Sequence, residues 1–559
     1  MRLSCTTKLI SCLMFLAVLM AACQAKPAEP AQTAVSPAAT AAPAITLPAD
    51  KGKLFAGSGA CAVCHTSMVD KGGQDVSNDS LWRSTMLANA ARDPYWLATV
   101  RSEVDQHPAL QETIEKKCAT CHMPMAETTA LAEGEKAEIL DAGFLSVEHP
   151  LHPLAMDGVS CTLCHQVEPD NFGRAESFSG GYLVDTTRPV GERLAYGPYV
   201  IGEAQATVMK SVSGYQPLLG EHLAQSEMCG ACHDLLTPYV DREGQVAGEF
   251  GEQMIYSEWL NSAYKERKSC QDCHMPLGQG GVQLSTTGGP KRSPFYQHIF
   301  VGGNAFMGRI LQANGEALGV TASAEHFEAT IARVVQQMSI QTVVMLVNKV
   351  RLEGQTLLGE VAIQNQVGHK FPAGFPSRRV WLHIVVKDAA GQVVFESGAV
   401  GPDGRITGND NDDDPTRYEP HYAVLSTPDQ VQIYEGIMFD SDGQVTTTLL
   451  RGAVYGKDNR LLPVGFDVKK ASKDTAVMGE AAQDKNFSAG GDLLQLELDL
   501  GQAQGPLTLL VELFYQSIGY RWSQNLMLQQ NGEAQLWAQY YASVPNLPLL
   551  AASVEVQVK

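Results

Sequence analysis

One short motif, Cys-x-x-Cys-His, occurs five times in the chain, with copies that begin at Cys61, Cys118, Cys161, Cys229 and Cys270. Two thiols at this spacing form thioether bonds with the two vinyl groups of one haem, and the adjacent histidine binds the iron from one side. One copy can arise by chance, but five copies in one chain cannot reasonably do so. The sequence therefore predicts five covalently bound haem c groups.

The motifs together use ten of the thirteen cysteines. The predicted thioether residues are Cys61, Cys64, Cys118, Cys121, Cys161, Cys164, Cys229, Cys232, Cys270 and Cys273. The predicted proximal iron ligands are His65, His122, His165, His233 and His274. The remaining cysteines, Cys5, Cys12 and Cys23, all lie near the N-terminus, so we expect no disulfide in the body of the protein.

The second axial ligand decides whether a haem mainly transfers electrons or also binds a substrate. Nine histidines lie outside the motifs, which is enough to give every haem two protein ligands. His222 precedes the fourth motif, His298 follows the fifth, and His369 lies in a turn-rich link between strands. We expect these three, together with one of His149 and His152, to reach an iron.

Length and charge narrow the classes of function. A chain of 559 residues is long enough for two or three domains. Its formal net charge is -20, and haem propionates would make it more acidic still. This charge argues against nucleic acid and anionic membrane surfaces as partners. It favours redox partner proteins that are basic or neutral.

The N-terminal sequence predicts export. Residues 1–22 have a cationic start and an apolar run of signal-peptide length. Residues 19–23 resemble a bacterial lipobox, which implies cleavage before Cys23 and lipidation of its sulfur; an ordinary signal peptide is the alternative. Residues 23–50 are rich in Ala, Pro and Thr and read as a disordered tether. We expect a lipoprotein with no transmembrane span, in the periplasm or at the outer membrane or cell surface.

The elements that position the motifs fall into two regions. Residues 51–340 carry all five motifs and form the predicted haem domain. Helices are predicted over Leu81–Ala98, with an interruption near Asp93–Pro94, and over Glu252–Lys268 and Ala324–Ser339. Short β-rich runs separated by turn residues fill residues 341–559.

The predicted fold class is α+β: a mainly α or irregular multihaem domain followed by an all-β sandwich of immunoglobulin-like type. Its expected strands include Val343–Val350, Val380–Lys387 and Glu533–Ala542. Four aspartates lie close together in residues 409–415. Carboxylates at this density could bind calcium, although the spacing is not that of an EF-hand and also fits a solvated acidic loop.

The haem region resembles the bacterial multihaem c-type cytochromes, a clan that includes tetrahaem and octahaem cytochromes and pentahaem nitrite reductase. The resemblance rests on the stretches Lys117–Met125, Asp157–Gln166 and Ser269–Pro276, and it covers roughly residues 55–305. The segment Gly368–Arg379 also looks like a domain found after such haem regions. The resemblance implies a redox protein. It departs from nitrite reductase, whose catalytic haem uses Cys-x-x-Cys-Lys, because all five motifs here end in His.

Two functions follow from these observations. In the first, the haems form a chain along which electrons move, and the protein transfers electrons among membrane-associated redox proteins. This function needs no catalytic residue. In the second, one five-coordinate haem reduces or oxidises a small nitrogen or sulfur compound. Arg378 and Arg379, beside His369, are candidates for that role if their loop faces a haem.

Overall fold

The computed structural model of the chain describes residues 46–503 and 505–558. These residues belong to one compact unit, Ile45–Lys559. The predicted signal peptide, the lipidated Cys23 and nearly all of the tether lie outside the described residues and stay predictions. In the described part of the chain, no helix is both long enough and apolar enough to cross a bilayer.

The described residues contain sixteen α-helices, most of them short. They are α1 (Gly59–Ala62), α2 (Asn78–Trp82), α3 (Pro94–Gln106), α4 (Gln111–His122), α5 (Pro124–Ala132), α6 (His152–Met156), α7 (Cys161–Cys164), α8 (Glu203–Ser213), α9 (Ser226–His233), α10 (Ile255–Leu260), α11 (Cys270–His274), α12 (Ala305–Ala313), α13 (Ala324–Gln341), α14 (Asp410–Asp413), α15 (Tyr520–Met527) and α16 (Gly532–Ala542).

Every motif lies in a helix or in the turn that ends one: α1, α4, α7, α9 and α11 carry the five copies in order. Residues three apart share one face of a helix. A helical turn therefore brings both cysteines of a motif to the same side, with the histidine next to them. At α11 the turn is fixed by a capping box, in which the Ser269 hydroxyl accepts the Asp272 N–H and the Asp272 carboxylate accepts the Ser269 N–H.

The strands lie mostly in the C-terminal part. They are β1 (Val167–Glu168), β2 (Leu183–Val184), β3 (Arg193–Gly197), β4 (Tyr215–Leu219), β5 (Asp234–Val240), β6 (Val246–Met254), β7 (Val282–Gln283), β8 (Lys291–Arg292), β9 (Val343–Glu353), β10 (Thr356–Asn365), β11 (Arg379–Lys387), β12 (Val393–Ser397), β13 (Val424–Leu425), β14 (Ile433–Phe439), β15 (Val445–Thr446), β16 (Val454–Asp458), β17 (Gly491–Asp499), β18 (Leu507–Gln516) and β19 (Leu549–Val558).

Two sheets share the largest hydrophobic core. One has the strand order β13-β17-β10-β9; the other has the order β15-β14-β11-β18-β19, with β12 paired to β11 and β16 to β14. Burial alternates along β10, and the buried leucines and valines of both sheets lie in one cluster. The α+β class is thus confirmed. The immunoglobulin-like type and the domain bounds 51–340 and 341–559 stay predictions; the boundary falls where α13 ends and β9 begins.

Three element predictions were wrong. The part of Leu81–Ala98 before the predicted interruption is mostly turns, and a helix starts at Pro94, where the Asp93 side chain caps it. Residues 252–254 belong to the β5–β6 hairpin, whose pairing with residues 234–235 overrides the helical pattern before α10. Glu533–Ala542 lies in α16, because its aromatic residues bury a helical face against α3.

Candidate haem-binding site

A cavity of about 1580 Å³ is lined mainly by residues 47–378, with a few residues from the C-terminal part of the chain. Its wall includes the histidine of every motif and nine of the ten motif cysteines: Cys61, Cys118, Cys121, Cys161, Cys164, Cys229, Cys232, Cys270 and Cys273. Cys64 is absent from the wall, but His65 beside it is part of it. Pockets for one small ligand measure roughly 300–1,000 Å³. The motifs therefore face a space suited to several large groups.

Cysteines of different motifs lie against one another. The side chains of Cys61 and Cys161 lie close together, and so do those of Cys229 and Cys270. A third such contact joins Cys232 to Cys121. The fourth motif thus touches both the second and the fifth, and the first touches the third. Groups attached at these cysteines would be immediate neighbours.

Four motif histidines have the hydrogen bonding of metal ligands. Their Nδ1 atoms lie 2.5–2.9 Å from backbone carbonyl oxygens of Leu284, Ala90, Tyr196 and Val301; the histidines are His65, His122, His165 and His274 in that order. A carbonyl only accepts, so each Nδ1 carries the proton and each Nε2 keeps its lone pair. This arrangement fixes the tautomer of histidines that bind metals.

Burial keeps the cavity histidines neutral. Desolvation lowers the pKa of His122 and His233 to about 4, and that of His298 to about 3. Burial also lowers the pKa of His369 to about 4. These rings are therefore neutral at neutral pH, and each keeps one nitrogen lone pair that a metal ion can bind.

Two of the predicted distal ligands face a motif histidine. The rings of His165 and His298 have centroids 6.4 Å apart and an interplanar angle of 15°. Those of His274 and His369 are 6.3 Å apart, also at 15°. An imidazole nitrogen binds a first-row metal at about 2 Å, so two imidazoles on opposite sides of one metal have centroids about 6 Å apart. Both pairs fit the spacing of two rings that share one iron.

The predicted ligands His149 and His152 differ in tautomer. The His152 Nδ1–H donates to the carbonyl oxygen of Phe144 at 2.9 Å, which leaves Nε2 free to bind a metal. The Nδ1 of His149 instead accepts the Leu151 N–H at 3.1 Å, so its Nε2 carries the proton. Of this pair, only His152 has an Nε2 lone pair available to bind a metal. Neither residue lies in the cavity wall, and both stay predictions.

His222, another predicted ligand, is buried between Tyr196 and Phe172. Its Nε2–H donates to the Val167 carbonyl oxygen at 2.9 Å. Only Nδ1 is then left with a lone pair, so an iron would have to bind there. His222 does not contribute to the cavity wall, and its role as a ligand stays a prediction.

One cluster elsewhere brings three potential metal ligands together among the described residues: His421, Asp484 and Asp492. The His421 Nδ1 accepts N–H groups from the side-chain amides of Gln432 and Asn459, at 2.9 and 3.1 Å. Its Nε2 therefore carries the proton, 3.2 Å from Asp484. The cluster is a hydrogen-bonded histidine and carboxylate rather than a metal-binding set.

The acidic loop near α14 is largely paired with arginines. Asp412 receives a bidentate ion pair from Arg379, and both side chains are almost fully buried. Asp413 pairs with Arg405, and Asp410 with a third arginine. Three of the four carboxylates are thus paired with arginines, and Asp414 accepts the backbone N–H and the hydroxyl of Thr416. Calcium binding at this loop stays a prediction. Arg379 is thereby committed to Asp412, whereas Arg378 lines the cavity.

Sequence reasoning missed a buried ion network next to His369. Lys370, which follows this predicted ligand, is fully buried with its Nζ 2.6 Å from Asp458. Arg460 bonds Asp458 and also lies 3.1 Å from Glu258, a residue of α10. The adjacency of Lys370 to His369 was the only signal in the sequence; the acidic partners lie far away along the chain.

Two buried carboxylates near the second motif were also missed. Glu103 on α3 accepts the backbone N–H groups of Leu449 and Leu450, and Glu252 on β6 accepts the Thr237 hydroxyl at 2.7 Å. Both belong to the cavity wall. Among the described residues neither has an ion-pair partner, and burial raises the pKa of both carboxyl groups.

Comparisons with known proteins give little further guidance. Neither the protein-family models nor the curated proteins contain a match. Among solved structures, the chain is similar to a penta-heme cytochrome c552 from Thermochromatium tepidum, with 17% identity and a TM-score of 0.44. That match covers 79% of this chain and 83% of the other. At this level of likeness neither fold nor function transfers to this chain.

Proposed function

We propose that this protein is a pentahaem c-type cytochrome that transfers electrons through five covalently bound haems. The observation that carries this proposal is the convergence of all five motifs on one cavity. Two histidine pairs at the spacing of axial ligands, His165 with His298 and His274 with His369, support it. The haem supplies the redox chemistry; the chain holds each iron, excludes water and sets distances.

The contacts between motif cysteines support a particular arrangement of the haems. The first motif adjoins the third, while the fourth adjoins the second and the fifth. Cys164 of the third motif is also close enough to Cys229 and Cys232 of the fourth to raise the pKa of both thiols. The proposed relay therefore runs from the first haem to the third and fourth, and branches there to the second and fifth.

We further propose that the mature protein begins at a lipidated Cys23 and is tethered to a membrane in the periplasm or at the cell surface. The lipobox-like sequence and the tether composition support this proposal. Maturation of c-type haems outside the cytoplasm agrees with export. Redox partner proteins would exchange electrons with it, and residues 341–559 would form an immunoglobulin-like sandwich that supports the haem domain.

The test is to express the chain in a host that matures c-type cytochromes and to count its haems. The mass of the purified protein should exceed that of the processed polypeptide by five haems, and a haem assay should give the same ratio. Low-temperature electron paramagnetic resonance of the oxidised protein should be dominated by low-spin iron. A mass equal to the bare polypeptide would refute the proposal.

A second function, catalysis at one five-coordinate haem, is favoured by one local observation. Arg378 lines the cavity, near enough to His233 to lower the pKa of that ring, although burial is the larger cause. Tyr515 is buried in the same wall, and its hydroxyl has no hydrogen-bond partner among the residues that the structure describes. These groups suit a small nitrogen or sulfur oxyanion. A high-spin ferric signal that cyanide or nitrite converts to low-spin would support this function.

A further inference from the structure

The fifth motif contains the most exposed of the ten motif cysteines. Cys273 is exposed, whereas the other nine motif cysteines are only partly exposed. Electron transfer between proteins weakens steeply with the distance between cofactors. A haem attached at Cys270 and Cys273 is therefore the one that an external redox partner approaches most closely.

A basic segment borders this motif. Lys265, Arg267 and Lys268 are exposed on the loop between α10 and α11. Lys268 is near enough to Cys273 for its charge to act on that thiol. Its backbone is held in place, since the Trp259 indole N–H donates to the Lys268 carbonyl oxygen at 3.0 Å.

A second loop adds positive charge to the same surface. The Asn261 side chain donates to the Asp467 carbonyl oxygen at 3.0 Å, and the Ala263 N–H donates to the Val464 carbonyl oxygen at 2.8 Å. These bonds place exposed Lys469 and Lys470 beside the first loop. The five basic side chains are opposed by three acidic ones in these segments, Glu266, Asp272 and Asp467.

We infer that the haem held by Cys270 and Cys273 exchanges electrons with an acidic redox protein that docks on this basic surface. The inference rests on the proposed electron-transfer function. The whole chain carries a formal charge of -20, so a local positive surface is a strong departure from its surroundings. Local complementarity of this kind orients a partner and raises the association rate at low ionic strength.

Small oxidants of opposite charge test the inference without a known partner. The fully reduced holoprotein is mixed with ferricyanide, a trianion, or with hexaammineruthenium(III), a trication. Each oxidant takes one electron from a ferrous haem, which becomes ferric. The inference predicts that the rate of oxidation by ferricyanide falls as ionic strength rises, because salt screens the attraction to the basic surface. The negative net charge of the chain alone would predict the opposite, a rate that rises with ionic strength. Lys268→Glu should lower that rate several-fold at low ionic strength and raise the ruthenium rate.

The matched control is Lys387→Glu at the end of β11, which makes the same change in net charge away from the motif. It should leave both rates unchanged. The inference is overturned if ferricyanide reacts faster as salt is added to the wild type, or if the two variants behave alike. Loss of haem or of reducibility would instead count against the proposed function, because haem content and reduction are measured first.

Discussion

The imidazole rings of His274 and His369 lie nearly parallel, with centroids 6.3 Å apart, although 95 residues separate them in the sequence. His274 ends the fifth motif on α11, and His369 lies in the loop between β10 and β11. The β-rich region therefore does more than support the haem region. It supplies one of the two rings that would hold the fifth iron, so a haem bound there would link the folding of the sheets to its own electronic state.

Replacing His369 tests this coupling. His369→Ala should convert one low-spin haem to a high-spin or water-ligated form, because the ring facing His274 is removed. Electron paramagnetic resonance of the oxidised protein would show the change in one haem of five. The control is His383→Gln on β11, whose ring lies between Glu512 and Glu396 at 3.0 Å from each. A control variant with the same high-spin signal would contradict the assignment of His369.

The ion network beside His369 should position that ligand. Lys370→Met leaves Asp458 with one cation fewer in a fully buried site, which typically costs about 3–5 kcal/mol of stability. The variant should also alter the low-spin signal or the midpoint potential of a single haem, since Lys370 donates its backbone N–H to Glu258 and its carbonyl oxygen accepts the His369 Nδ1–H. Urea unfolding and potentiometric titration measure the two effects.

A matched variant separates positioning from simple stability. Lys457 is also fully buried, with its Nζ 3.0 Å from Glu435, and this ion pair does not include a residue adjacent to a proposed iron ligand. Lys457→Met should lower stability by a similar amount and leave every haem potential unchanged. If Lys370→Met likewise left all potentials unchanged, the network would have only a structural role.

Glu103 should make stability depend on pH. Burial raises its pKa to about 7, well above its value in the unfolded chain. The folded state then binds more protons than the unfolded state between about pH 4.5 and 7, so stability falls as pH rises through this window. Relative to its value above pH 7, the free energy of unfolding is expected to be higher by about 3 kcal/mol below pH 4.5, and this difference is lost as the pH rises to 7.

The variant Glu103→Gln should flatten that part of the profile, because an amide oxygen still accepts the two backbone N–H groups but does not ionise. Urea midpoints measured from pH 4.5 to 8 provide the comparison. Glu353→Gln, an exposed residue paired with Arg351, is the control and should retain the wild-type slope. If Glu103→Gln kept the wild-type pH dependence of stability, that dependence would have to come from another titratable group.

The haem motifs were readable from the sequence because Cys-x-x-Cys-His is a contiguous pattern with one chemical use. His298 and His369 were also identified as candidates, but only the fold shows which motif histidine each one faces. The roles of Glu103 and of the residues paired with Lys370 were not predictable, because they depend on burial and on contacts between segments far apart in the sequence. The strand prediction for Glu533–Ala542 was wrong because aromatic residues favour strands, whereas here the segment is stabilised as a helix by its packing on α3.

The two neighbouring candidates for one further ligand, His149 and His152, should behave differently when each is replaced. His152 offers an Nε2 lone pair because its Nδ1–H donates to Phe144, whereas the Nε2 of His149 is protonated. His152→Ala should therefore convert one haem from low-spin to high-spin, and His149→Ala should leave all five unchanged. Paramagnetic resonance of both variants, at equal haem content, decides between them. The opposite result would mean that haem binding reverses the hydrogen bonding of this loop.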